Sequence, residues 1–177
     1  YKLIEEQKID FLTTSQKKSE ITNVKEWKED EYIELKIIGT GSIFRTELIY
    51  HIEKGNLYVI KKPNCFDNDI QKLFNREYKN FLEIDYPHIP KYFGKQEKEK
   101  CLIIQYIYGQ PLNTIDLKNL SLDDKVTIVF QLMLIIRYLH SINFVYRDLK
   151  PNNIIIDQNK KVFLIDFDRM IKINSSF

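Results

Sequence analysis

Tyr146-Arg147-Asp148-Leu149-Lys150-Pro151-Asn152-Asn153, followed 18 positions after Asp148 by Asp166-Phe167-Asp168, is the stretch on which the reading of this chain turns. Between the two segments, Ile154-Ile155-Ile156 and Val162-Phe163-Leu164-Ile165 are short apolar runs separated by Asp157-Gln158-Asn159-Lys160. That is the composition of a β-hairpin with a polar turn. A hairpin brings its two ends together. Two carboxylates (Asp148, Asp166), an ammonium (Lys150) and a carboxamide (Asn153) are therefore expected at one place.

Working outward, the residues before the loop divide into strands and helices. Tyr32-Ile33-Glu34-Leu35-Lys36-Ile37-Ile38, then residues 43–52, then Leu57-Tyr58-Val59-Ile60 predict three antiparallel strands joined by glycine-containing turns. Asp67-Asn68-Asp69 supplies helix caps, and residues 70–84 have helical periodicity that ends at Pro87 and Pro90. Two more strands are expected at 91–95 and 102–107, followed by the breaker Gly109-Gln110-Pro111. Ser121 and Asp124 have the spacing of a capping box, which opens a helix over 122–141. That helix is apolar on most faces, so it is expected to be buried, and an exposed patch on 126–136 would favour a dimer mate or partner subunit. Residues 1–30 are polar and charged, with Leu3, Ile4, Phe11, Leu12 and Trp27 able to dock. They are read as a partly helical extension.

At 177 residues the chain can form one domain or two small lobes sharing a cleft. Its net charge of +2 gives no reason to expect a nucleic-acid partner. Cys65 and Cys101 lack metal-type spacing and read as reduced thiols. Residues 126–136 are the most apolar run, but the run is too short to span a bilayer and is interrupted by Gln131. No signal-peptide core opens the sequence, so a cytoplasmic location is expected.

Two patterns carry chemistry without reference to any family. Gly39-Thr40-Gly41-Ser42 lies between two strands, where glycines allow either a hairpin turn or a close backbone approach to phosphates. On the helix over 70–84, Ile70, Leu73, Phe74, Phe81 and Ile84 form an apolar stripe, and Glu77 falls on it. A carboxylate on a buried stripe needs a partner, unless it sits at the rim and reaches water. By strand alternation Lys61 and Lys62 point to opposite faces, with Lys62 the solvated one.

Tyr146–Asn153 with Asp166-Phe167-Asp168 resembles the catalytic and metal loops of eukaryotic-type (Hanks-type) Ser/Thr protein kinases, H-R-D-L-x-x-x-N and D-F-G. Tyr58-Val59-Ile60-Lys61 is similar to the family's V-A-I-K strand, and residues 102–109 resemble the strand and hinge joining two lobes. The resemblance implies an α+β, protein kinase-like bilobal fold. It has a five-stranded antiparallel N-lobe with one main helix, and a partial, mainly helical C-lobe. It divides the chain into an extension (1–30), N-lobe and hinge (31–107) and partial C-lobe (108–177).

It further implies ATP and Mg2+ as cofactors, with Gly39, Gly41 and Ser42 at the phosphates and Lys61 paired with Glu77. Adenine would bind backbone groups around Gln105 to Ile107. Asp148 would accept the hydroxyl proton, Lys150 would neutralise the transferred phosphoryl group, and Asn153 and Asp166 would hold magnesium. Phe167 and Tyr146 would pack with Phe81 between the lobes.

Three departures qualify what the resemblance implies. Tyr146 replaces His, so a backbone-directed imidazole hydrogen bond is expected to be lost while packing survives. Asp168 replaces Gly, which either restricts the backbone or adds a third acidic side chain near magnesium. Residues 164–169 also resemble bacterial kinases of lipopolysaccharide sugars. The sequence ends nine residues after Asp168, short of a full activation loop, an A-P-E element and the helices that hold a peptide. The expectation is a fragment, or a minimal kinase whose acceptor site comes from a dimer mate or partner subunit. Lys150, two residues after Asp148, favours protein Ser/Thr hydroxyls. The alternatives are a small hydroxyl compound of sugar type as acceptor, or a catalytically impaired interaction module.

Overall fold

Strand alternation from Tyr32 onward places neighbouring residues on opposite faces of a sheet. Both faces are covered at its centre, where Leu102 joins one apolar cluster and Cys101 and Ile103 another. The computed structural model describes residues 25–65, 67–96, 98 and 100–173. Strands β1 (Lys25–Glu26), β2 (Tyr32–Thr40), β3 (Phe44–His51), β4 (Asn56–Pro63), β5 (Tyr92–Gln96) and β6 (Cys101–Gln105) form one sheet in the order β1-β5-β6-β4-β3-β2. Strands β2 to β6 are the five antiparallel strands of the smaller lobe. β1 adds a two-residue parallel strand beside β5.

Trp27 explains that addition. It is 1% exposed and packs edge-on against His51 at 4.8 Å and Tyr58 at 5.0 Å, with Lys54 Nζ 4.6 Å from its ring centroid. The helix and the apolar docking positions expected within residues 1–24 lie outside the described residues.

Helix α1 (Asn68–Glu83) starts where Asp67 accepts hydrogen bonds from the backbone N–H groups of Asp69 (2.9 Å) and Ile70 (2.8 Å). A cap of this kind stabilises a helix by about 1 kcal/mol. It buries Phe74, Glu77, Asn80 and Phe81, one turn after another on one face. Helix α2 (Leu122–Ser141) opens with the expected Ser121–Asp124 capping box. Its burial differs from the expectation. Ile128, Gln131, Ile135 and Leu139 are buried, whereas Leu122, Val126, Val129 and Met133, spaced on the other face, are exposed. The described residues cover only one side of α2. Gln131, which breaks the apolar run, donates to the Lys160 carbonyl and accepts from Val162 N–H, so it ties α2 to the hairpin.

Five short strands complete the larger lobe: β7 (Gly109–Pro111), β8 (Phe144–Val145), β9 (Ile154–Asp157), β10 (Val162–Leu164) and β11 (Ile171–Lys172). The predicted hairpin is β9 and β10, with Ile155 opposite Phe163. The segment read as a breaker is β7, paired antiparallel with β9. Its approach requires glycine, because a Cβ on Gly109 would lie 2.5 Å from the Ile156 carbonyl oxygen. One apolar cluster, including Phe74 and Phe81 of α1, Leu102 of β6, Ile135 and Leu139 of α2, and Leu164 of β10, joins both lobes beneath the loops. Among the described residues, no helix is long and apolar enough to cross a membrane.

Candidate active site

Lys61 on β4 projects beneath the sheet, where α1 packs. Its Nζ lies 2.8 Å from Glu77 Oε1 and 2.8 Å from Asp166 Oδ1, joining residues 16 and 105 positions away. The side chains of Lys61 and Glu77 are 7% and 1% exposed, so this is a buried ion pair with a third, half-exposed member. Burial pulls the Lys61 ammonium down, but Glu77, Asp166 and Asp168 outweigh it and hold Lys61 above the usual lysine range. Burial pushes the Glu77 carboxyl up, with Lys61 opposing. The Phe44 ring covers the ammonium, its centroid 4.8 Å from Nζ. Lys62, expected to be solvated, instead bonds to Glu34 and Glu47 across β2 and β3 and is 12% exposed in its side chain. The buried Glu47 drew it out of solvent, a partner that strand alternation alone does not reveal.

The loop after β8 is held from both ends. Arg147 and Asp166 adopt left-handed backbone, with φ of 69° and 64°. Ile165 N–H donates to the Asn153 carbonyl at 2.9 Å, which fastens the end of β10 to the loop. Asn153 is buried, and its Nδ2 donates to Asp148 Oδ2 at 2.8 Å and to the Asp148 carbonyl at 3.0 Å. Lys150 Nζ reaches the same Oδ2 at 2.7 Å. Burial pushes the Asp148 carboxyl up, but the bonds from Lys150 and Asn153 prevail and hold it below the usual carboxylate range. Carboxylate oxygens of Asp148, Asp166 and Asp168 lie within 4.8 Å of one another, so the two loops meet.

Tyr146 corrects one expectation. Its hydroxyl donates to the Ile165 carbonyl, so a backbone-directed hydrogen bond is present, made by a phenol in place of an imidazole. Its ring meets Phe167 at 5.4 Å, Phe167 meets Phe81 at 5.4 Å, and Phe81 stacks on Tyr92 at 5.9 Å. This aromatic column runs from the loop through α1 to β5. Two contacts had no signal in the sequence. Arg76 Nη2 donates to the Asp168 carbonyl at 2.5 Å, and Asn80 Nδ2 donates to the Met170 carbonyl at 3.2 Å. Both tie α1 to the segment after Phe167, and nothing local marks either residue for it.

Lys61, Glu77 and Asp166 thus form one bonded set, and Asp148, Lys150 and Asn153 a second, adjacent one. The remaining candidates lie around them. Gly39 is the second-to-last residue of β2, and Gly41 with Ser42 forms the turn into β3, closed by Gly41 N–H to the Phe44 carbonyl at 2.8 Å. Gln105 ends β6, its N–H donating to the Lys91 carbonyl at 2.8 Å and its Oε1 accepting from Lys91 N–H at 3.1 Å. Ile107 is buried just beyond.

The sequence is similar to those of known proteins. The family model described as "Protein kinase domain" matches residues 32–176. The carbon catabolite-derepressing protein kinase of Candida glabrata is 29% identical over 139 residues, covering 75% of this chain and 23% of that protein. The serine/threonine-protein kinase CBK1 of Pneumocystis carinii is 27% identical over 172 residues, covering 92% and 34%. An Aurora kinase of Eremothecium gossypii is 31% identical over 140 residues, covering 75% and 38%. The chain therefore spans less than two fifths of the length of these relatives. With the family match extending over most of its residues, the chain belongs to the protein kinase domain family, of the Hanks type.

Proposed function

We propose that this domain transfers the γ-phosphoryl group of ATP, as its magnesium complex, to a hydroxyl group, with protein Ser/Thr side chains as the acceptors. The observation that carries the reading is Lys61 held at 2.8 Å by both Glu77 and Asp166. A buried ammonium fixed by two carboxylates from distant segments is positioned to meet a polyanion at the mouth of the cleft. The donor set fits magnesium. Asp166, Asp168 and the Asn153 amide offer hard oxygen ligands, and Asp168 Oδ1 is a buried oxygen without a hydrogen-bond partner among the described residues.

In this reading, magnesium would supply charge neutralisation at the phosphates. Asp148, held ionised by Lys150 and Asn153, orients the acceptor hydroxyl and accepts its proton. Lys150, half-exposed and two residues from Asp148, offsets charge on the transferred group. The Gly39–Ser42 turn would hold the phosphates, and backbone groups near Gln105 and Ile107 would hold the adenine. The two lobes are assigned to 31–107 and 108–177, with residues 1–30 as an extension. A reducing, cytoplasmic setting belongs to the same reading, in which Cys65 and Cys101 stay as thiols.

The Ser/Thr assignment rests on Lys150 and on similarity to relatives such as the serine/threonine-protein kinase of Pneumocystis carinii. It is tested with γ-labelled ATP and magnesium added to the full chain in cell extract, followed by separation of protein from small molecules. Label on Ser and Thr of protein is the expected result. Label confined to small hydroxyl compounds would overturn the acceptor assignment and favour a sugar-type kinase.

A further inference from the structure

Asp168 stands where the family pattern has glycine, so its carboxylate is an oxygen donor that the pattern itself does not supply. Its φ lies outside the left-handed region, so the backbone here does not require the glycine that the family pattern carries. Arg76 pins its carbonyl from α1, which fixes the residue against the loop. Its side chain is half-buried, and its Oδ1 is shut off from solvent without a hydrogen-bond partner among the described residues. Lys61 and Arg169 attract this carboxylate through space, but its buried oxygen makes no bond to either, and that leaves room for a bonded donor or cation.

The other two carboxylates already have partners. Asp148 Oδ2 accepts from Lys150 and Asn153, and Asp166 Oδ1 accepts from Lys61. One oxygen from each of the three acids lies within 4.8 Å of the others. A single cation of magnesium to calcium size holds opposing oxygens roughly 4.2 to 5 Å apart. The spacing therefore suits one shared ion.

We propose that Asp168 is a second carboxylate ligand, beside Asp166, for the divalent cation of this site, so that the protein retains one cation before nucleotide arrives. The inference rests on the Mg-ATP reading for the identity of the site, although its test does not require turnover. Asp166 and Asn153 together offer one charged and one neutral ligand, which leaves the phosphates of the nucleotide to complete the shell. A further anionic oxygen from Asp168 raises the affinity of the protein shell itself, because affinity for hard cations follows the charge count of the ligands.

The test uses the full chain without nucleotide, titrated with Mn2+ while free Mn2+ is followed by its electron paramagnetic resonance signal. The wild type is expected to bind one Mn2+, and Asp168→Asn and Asp168→Gly to weaken that binding by roughly tenfold or more. Thermal unfolding supplies a second readout. Mn2+ raises the Tm of the wild type clearly more than that of Asp168→Asn, while without Mn2+ the variant is at least as stable because acidic repulsion is relieved. Mn2+ affinity unchanged in both variants, or no binding by the wild type without nucleotide, would overturn the proposal.

Label transfer from γ-labelled ATP, measured in parallel, separates this proposal from the kinase reading. Asp168-dependent Mn2+ binding without transfer by the wild type supports the ligand assignment and defeats the kinase reading. Transfer by the wild type, with Mn2+ affinity indifferent to Asp168, defeats the ligand assignment and leaves the kinase reading standing.

Discussion

Lys61 and Glu77 form a buried pair with unequal alternatives, so their single substitutions should differ in a specific way. In Glu77→Gln, Lys61 keeps Asp166 at 2.8 Å, and Asp166 is 35% exposed in its side chain. The ammonium stays paired, and the loss is about 2 kcal/mol, that of one charge-assisted hydrogen bond. In Lys61→Met, Glu77 loses its one partner, because its Oε2 already has none among the described residues. An uncompensated carboxylate that is 1% exposed should destabilise by about 3–5 kcal/mol.

Urea unfolding of the full chain at pH 8 reads the difference. With m of roughly 2 kcal/mol/M, the midpoints fall by about 1 M for Glu77→Gln and about 2 M for Lys61→Met. The pH dependence provides an internal check. Without Lys61 nothing opposes burial, so the folded pKa of Glu77 stays above its unfolded value of about 4.3. Its penalty grows as pH rises from there to the folded pKa, and the Lys61→Met deficit is smaller at pH 5 than at pH 8. A deficit independent of pH, or a Glu77→Gln variant less stable than Lys61→Met, would refute the reasoning.

Tyr146, whose hydroxyl reaches the Ile165 carbonyl, has its phenol pushed above the ordinary value of 10.0 by burial and then by Asp166. A folded pKa above the unfolded one means its stabilising contribution is full below pH 10 and lost as pH rises further. Tyr146→Phe should cost about 1 kcal/mol at pH 7 and reduce the alkaline loss, as followed by circular dichroism. Trp27→Ala removes the largest buried side chain of the sheet's outer cluster and should cost about 3–5 kcal/mol in urea unfolding. An effect below 1 kcal/mol would mean that Trp27 is not packed as described. Gly109→Ala forces a methyl group against the Ile156 carbonyl and should cost about 1–3 kcal/mol, read as a Tm lowered by several degrees.

What could be read in the sequence follows physical range. The hairpin between Asp148 and Asp166 is local, and its alternation and polar turn predict it directly. Glu77 was legible because a carboxylate on the stripe of Phe74 and Phe81 violates the expected pattern and calls for a cation. Arg76 and Asn80 carry no such conflict. They bond to backbone carbonyls 92 and 90 residues away, contacts that exist only once α1 is docked. Tyr146 was readable as a ring but not as a donor, since the direction of its hydroxyl depends on where Ile165 lies just after β10. Helix α2 misled because apolar residues occupy both its faces, which periodicity alone reads as burial. The fold covers the Ile128–Gln131–Ile135–Leu139 side and leaves Val126, Val129 and Met133 exposed.

The central claim is that Asp148, Asp166 and Lys61 together carry out phosphoryl transfer, and initial rates of label transfer from γ-labelled ATP by purified full chain test it most directly. Wild type, Asp148→Asn and Asp166→Asn are compared after each is shown to be folded by circular dichroism. The account predicts measurable transfer by the wild type and losses of roughly a hundred- to ten-thousand-fold in Asp148→Asn, with transfer abolished or nearly so in Asp166→Asn. Transfer by Asp148→Asn at the wild-type rate would contradict it.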